Sequence, residues 1–281
     1  MDDLTPVTDP ALIAQLTRGL DDDEGPVRDP RQERARQELA AAFSAGADTI
    51  FELPAGYLDR STEVLIREVE VRELTGNDEE ALSKIKNEGR QLAAILERAT
   101  VRIGEEKATP RLLDELLVGD RDAILLGIRR ATFGDDLELA VTCPHCQERQ
   151  DIVLNLTQDV PVKKHEDADE RFLRVEGKRG SVLVELPTGR TQKKLLSASD
   201  SGKTVAELNT ILLTDCVTEI ENELIPGEHA VKRMSLGDRA TVIDAIVKAA
   251  PGPQLNEVSR TCVACSKEIE LPLSLSDLFR P

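Results

Sequence analysis

Four cysteines in two short knuckles, Cys143-Pro-His-Cys146 and Cys262-Val-Ala-Cys265, constrain the fold of this chain more than any other feature. A CxxC pair puts two thiolates on one turn, and two such pairs complete the tetrahedral four-sulfur shell of a structural zinc ion. That shell is closed, with no position for an activated water or a substrate, so the metal would hold structure rather than perform chemistry. Cys146 and Cys262 lie 116 residues apart, far beyond the local spacing of an ordinary zinc ribbon. One Zn2+ held by Cys143, Cys146, Cys262 and Cys265 would therefore staple distant parts of the chain, and its binding free energy would contribute to folding.

The knuckles sit in matching contexts. Gly119-Asp120-Arg121 recurs 118 residues on as Gly237-Asp238-Arg239, and Cys143 recurs 119 residues on as Cys262. Between these landmarks Ile124, Leu125 and Ile128 fall opposite Val242, Ile243 and Ile246, one apolar helical face written twice. Upstream, Phe51-Glu-Leu-Pro-Ala-Gly56 resembles Val184-Glu-Leu-Pro-Thr-Gly189 at a looser offset of 133. A repeat of about a hundred residues is too long for a solenoid and suits two related lobes. The expectation is an α+β fold in which two duplicated lobes are joined by a four-cysteine zinc ribbon built from two β-knuckles. Its parts are an acidic N-terminal arm with short helices (1–48), a first lobe with the first CxxC pair (49–158), a linker (159–180) and a second lobe with the second pair (181–281).

Local patterns fill in the lobes. A strand begins at Thr49–Phe51, Pro54-Ala-Gly56 reads as a turn, and Val64–Leu74 alternates like a half-buried strand. Thr75-Gly-Asn-Asp78 offers capping groups for a helix, and Gln91–Arg102 carries Leu92, Ile95, Leu96 and Ala99 at core spacing. Pro110 opens a short helix, and Asp120 reads as the cap of the next. Strands frame both cysteine pairs: Leu137–Val141 and Asp151–Leu156 around the first, Asn256–Arg260 and Glu268–Leu273 around the second.

Charge excludes some functions. With 53 acidic against 36 basic residues the formal net charge is −17, which opposes binding to a phosphate backbone. No apolar run is long enough to insert in a membrane, and the N-terminal residues lack signal-peptide character, so the expectation is a cytoplasmic protein with neither nucleic-acid nor membrane partners. In a reducing compartment paired cysteines favour metal over disulfide. Other apparent sites dissolve. Ser199-Asp-Ser-Gly-Lys-Thr204 ends like a phosphate-binding loop but has Ser197 where that motif needs its first glycine, and it reads as the counterpart of Thr75–Asp78. Cys216, aligned with Ala99, reads as a small buried side chain. His145 reads as an exposed spacer, and His165 and His229 as surface residues. No nucleophile–base pair emerges, so no catalytic residue is assigned.

The run Phe51-Glu-Leu-Pro-Ala-Gly-Tyr57, the Val69-Glu-Val-Arg-Glu-Leu-Thr-Gly76 segment, Leu117-Val-Gly-Asp-Arg-Asp122 and Thr132-Phe-Gly-Asp-Asp136 together resemble the T-even-phage-type baseplate protein family. The resemblance covers residues about 50–156 well and reaches the second lobe mainly through the duplication. It implies a non-enzymatic structural or assembly component of the baseplate hub of a contractile phage tail or tail-derived injection system. Its partners would be other baseplate and tail hub proteins, with a homo-oligomer left open. Its location would be the cytoplasm during assembly and the virion or injection-particle baseplate afterwards. The acidic surface suits docking to basic partners. Two other readings remain: a zinc-bearing, redox-sensitive cytoplasmic adaptor or chaperone, and, with less support, a nucleotide- or metal-dependent enzyme.

Overall fold

A computed structural model describes residues 49–279, apart from Arg179, Glu221, Asn222, Ile225, Pro226 and Pro272. The expected acidic arm, 1–48, lies outside the described residues. The remainder mixes helix and strand in an α+β architecture, and the described residues fall within one compact unit.

Strands β1 (Ile50–Asp59), β2 (Val64–Val71), β3 (Thr100–Ile103) and β4 (Glu106–Lys107) form an antiparallel sheet in that order. Alternation sends Val69, Val71 and Ile103 into the core, while outward-facing Arg102 pairs with Glu68 and Glu70 at 2.6 and 2.5 Å. Helices α1 (Gly76–Leu82), α2 (Glu88–Ala99), α3 (Pro110–Glu115) and α4 (Val118–Phe133) cover it. From them Ile95, Leu96, Ala99, Leu113, Ile124 and Ile128 close the first core around Leu53.

The second half runs through the same order of parts. Strands β8 (Phe172–Gly177), β9 (Gly180–Glu185), β10 (Val217–Ile220) and β11 (Glu223–Leu224) form a second four-stranded antiparallel sheet. Helices α5 (Gly189–Asp200), α6 (Val205–Cys216), α7 (Gly227–Arg233) and α8 (Leu236–Ala249) accompany it. Each half therefore reads strand pair, helix pair, strand pair, helix pair, cysteine hairpin. The second core is not self-contained, because Ala55 and Leu117 from the first half pack among Val182, Val184, Leu213 and Val242.

Several expectations give way to tertiary demands. Pro54-Ala-Gly56 is no turn: β1 runs through it as a bulge, with the register against β2 shifting between Glu52 and Tyr57. Pro54 has no N–H to give the ladder, and the Ala55 and Gly56 N–H groups turn to the Asp120 carboxylate at 2.8 and 3.2 Å. Asp120 is correspondingly not a cap. Leu117 occupies the N-cap of α4 without a side-chain bond, and in α8 Ser235 caps while Asp238 accepts from the Lys178 N–H at 2.8 Å. The segment Val184–Gly189 ends β9 and starts α5, which is the place of Val71–Gly76 between β2 and α1, not of Phe51–Gly56 inside β1. Ser199–Thr204 accordingly joins α5 to α6, and its Thr204 forms a capping box with Glu207. It is a helix end, not a phosphate cradle.

The stretch expected as a linker, 159–180, contains β7 (Val162–Lys163), which pairs with β12 (Gly252–Pro253), a single 3-10 turn (Asp169–Arg171) and all of β8. His165 within it is buried rather than on the surface. Its N–H donates to Pro54 O at 3.0 Å and its Nε2 donates to Ala249 O at 2.9 Å, tying the β1 bulge to the end of α8. Beside it Gly119 meets the backbone at Pro251, where an added Cβ would lie 1.8 Å from the carbonyl oxygen.

Candidate metal centre

Strands β5 (Asp136–Thr142) and β6 (Arg149–Asn155) pair from Asp136↔Asn155 to Thr142↔Arg149, leaving residues 143–148 as the turn. Strands β13 (Ser259–Thr261) and β14 (Glu268–Glu270) pair from Ser259↔Glu270 to Thr261↔Glu268, leaving 262–267. The two turns share one geometry. Cys143 N–H donates to Glu148 O and Gln147 N–H to Cys143 O, at 2.8 and 2.9 Å. Cys262 N–H donates to Lys267 O and Ser266 N–H to Cys262 O, at the same two distances. Gln147 and Ser266 take left-handed backbone, with φ of 64° and 58°.

A third apolar cluster packs the hairpins together. Leu137, Leu154 and Leu156 from the first meet Val258, Ile269 and Leu271 from the second, with Leu126 of α4 and Leu278 beside them. Arg260 pairs with Asp159, and the Val263 N–H donates to Gln150 Oε1 at 3.2 Å, so polar contacts also cross the seam.

At the end of this cluster all four predicted cysteines meet. Cys143, Cys146, Cys262 and Cys265 place their Sγ atoms within 4.8 Å of one another, with Cys143 to Cys265 at 3.8 Å and Cys146 to Cys262 at 3.7 Å. Four thiolates bound at the usual zinc–sulfur length stand roughly 3.8 Å apart along the tetrahedron's edges. These distances fit a metal-sized tetrahedron, whereas a disulfide requires sulfurs in covalent contact. The electrostatics favour a cation. Backbone N–H groups of Cys265 and then Ala264 aim at the Cys262 sulfur and hold its thiol down at about 6. At Cys146 the Glu148 N–H pulls down too, but burial and the thiols of Cys265, Cys143 and Cys262 outweigh it and push the group up to about 12. A second thiolate is costly beside the first unless a cation neutralises both.

Among the other residues singled out from sequence, His145 is exposed and stays outside the sulfur cluster, its Nε2 donating to Glu268 O at 3.2 Å across the two hairpins. Cys216 is buried at the end of α6, and burial raises its thiol to about 12. His229 is exposed. The buried roles of His165 and Arg171 escape sequence reading, since a lone histidine or arginine carries no periodic or spacing signal.

Comparison with known proteins adds one match. Residues 49–178 fit the family model described as T4 bacteriophage base plate protein. No curated protein and no solved structure matches the chain. The matched segment begins beside β1 and ends just past β8, so it includes Cys143 and Cys146 and leaves out Cys262 and Cys265. Over residues 49–178, just under half of its length, this chain is similar to the T4-type baseplate protein family.

Proposed function

We propose that the chain is a non-enzymatic structural or assembly component of the baseplate hub of a contractile tail or tail-derived injection system. One structural zinc ion would be held by Cys143, Cys146, Cys262 and Cys265. The observation that carries the reading is the baseplate family match on a segment whose hairpin brings half of a four-thiol cluster. The other half comes from 116 residues further on. The family match supports a baseplate component with tail and baseplate proteins as partners, located in the particle. No helix among the described residues is long and apolar enough to cross a membrane.

The two halves are read as duplicated lobes, 49–158 and 181–281, with the stretch 159–180 between them lending β8 to the sheet of the second. The repeated order of elements supports this, as does the Gly-Asp-Arg motif. Arg121 donates to Leu113 O at 2.7 Å and Arg239 to Val231 O at 3.2 Å, each reaching eight residues back to the preceding short helix. In the first half the aspartate accepts from the Ala55 and Gly56 N–H groups of β1, and in the second from the Lys178 N–H in the turn between β8 and β9.

Elemental mass spectrometry on reduced protein purified without a histidine tag tests the metal. About one zinc per chain is expected for a single four-thiolate site, and its loss in a Cys143→Ser, Cys262→Ser double variant. No zinc in the reduced wild type would sink the staple, and reversible thiol oxidation altering partner binding would then favour the redox adaptor. Quantitative proteomics of finished particles and of assembly intermediates separates a permanent part from a departing chaperone. Absence from both would refute the baseplate role.

A further inference from the structure

Arg171 closes the 3-10 turn ahead of β8 and is only 5% exposed. Its Nη2 reaches Gly56 O at a long 3.5 Å, and its Nε has no partner among the described residues. Glu185 and, more weakly, Asp120 attract it at a distance, but neither carboxylate is in contact with it; Glu185 bonds Arg60, and the Asp120 Oδ1 accepts from the N–H groups of Ala55 and Gly56. A buried guanidinium with no carboxylate in direct contact is expensive to keep.

The guanidinium lines a cavity of about 450 Å³ at the seam between the two halves. Three other cations line it, and each has a carboxylate within ion-pair reach. Arg60 pairs with Glu185 at 2.6 Å, Arg190 with Glu115 at 3.5 Å, and Lys194 with Asp215. Arg171 has no carboxylate in contact, and among the lining side chains four cations face three carboxylates.

The start of α5 opens on the same space through Thr188, Arg190 and Thr191. Thr188 makes no side-chain cap bond, and no acidic residue stands in the first turn. The corresponding start of α1 is completed differently. There Asp78 forms a capping box with Thr75 and also receives Arg72 and Arg98, at 2.7 and 2.8 Å. In α5 the place of Asp78 is taken by Thr191, whose hydroxyl turns away to donate to Asp215 at 2.5 Å. A helix N-terminus and a buried guanidinium are therefore both present without the carboxylate that joins such groups in α1.

We propose that this cavity recognises one carboxylate group presented by a partner protein, an Asp or Glu side chain or a chain terminus, held between the Arg171 guanidinium and the N-terminus of α5. The one cation in excess among the lining side chains matches a monoanion, whereas a phosphate dianion would meet Glu115, Glu185 and Asp215 with charge to spare. The proposal is independent of the metal centre and of the baseplate reading.

Arginine Nε–Hε NMR signals of the full chain, titrated with sodium acetate, sodium phosphate or sodium chloride at constant ionic strength, test it. One signal, absent from Arg171→Met, is expected to shift saturably with acetate. Arg190→Glu, altered only at the exposed rim, should raise the half-saturating acetate concentration about tenfold while leaving the remaining spectrum folded. Should Arg171→Met fail to fold, the Arg190→Glu titration decides alone. The proposal is overturned by the absence of a saturable acetate shift, by a shift that persists in Arg171→Met, by an equal response to chloride, or by an unchanged half-saturation in Arg190→Glu. Tighter saturation by phosphate than by acetate would also overturn it, in favour of a free-phosphate site.

Discussion

At the scale of single residues, Gln147 and Ser266, like Glu63, hold left-handed backbone, and these two sit in the two cysteine turns. A side chain there costs roughly 1–2 kcal/mol, which glycine avoids, while glycine's extra freedom in the unfolded chain returns roughly 0.5–1 kcal/mol of that gain. Gln147→Gly and Ser266→Gly are therefore expected to stabilise the protein by about 0.5 kcal/mol each. Urea unfolding at fixed zinc would read this, and a loss of stability in both would contradict it. The knuckle cysteines and their turns were legible because their chemistry is local and their spacing is fixed. Asp120 was misread for the opposite reason. An aspartate at a helix start usually caps that helix, but here two N–H groups displaced from the β1 ladder claim its carboxylate, and they are 64 and 65 residues away.

Among the elements, the start of α1 is the most heavily bonded. Asp78 has a side chain 1% exposed and joins the chain just past β2 through Arg72, α2 through Arg98 and its own helix through Thr75. The Arg72 guanidinium, with Thr75 and Arg98, holds its carboxyl well below the usual carboxylate range. A carboxyl lowered in the folded state contributes stability that is fully present above its unfolded value near 4 and is lost as pH falls through the folded value. Both arginines are more than a third exposed, so solvent screening limits the contribution to about 2 kcal/mol. Asp78→Asn should cost about that much at pH 7, with the gap to wild type narrowing as the pH is lowered below 4. Denaturant unfolding of the two proteins at matched pH values checks this, and a gap that is constant with pH would refute the ion-pair account. The helices here were readable from apolar spacing and caps, as at Asn87, Thr109 and Thr204. Short strands such as β7 and β12 were not, because two residues carry no period and pair only after distant segments meet.

At the scale of the molecule, three apolar clusters among the described residues divide the labour: one under each four-stranded sheet and one between the cysteine hairpins. If the sulfur cluster holds zinc, chelation should loosen the third and spare the other two. Hydrogen exchange with and without a chelator is expected to show faster exchange in β5, β6, β13 and β14, with β2 and β9 unchanged. Uniform acceleration throughout would show that the metal is needed by both sheets, and no change at all would mean that the hairpins hold without it. The sequence by itself determined the α+β class, the hairpins that frame the thiols, the pairing of the two CxxC motifs and the resemblance to baseplate proteins. Those properties follow from local chemistry and from patterns repeated at a constant offset. Only the tertiary structure decided that β1 bulges where a turn was expected and that the supposed linker supplies two strands. It also placed His165 and Arg171 in the seam, because burial and the partners of a buried polar group depend on which remote segments fill the space around it.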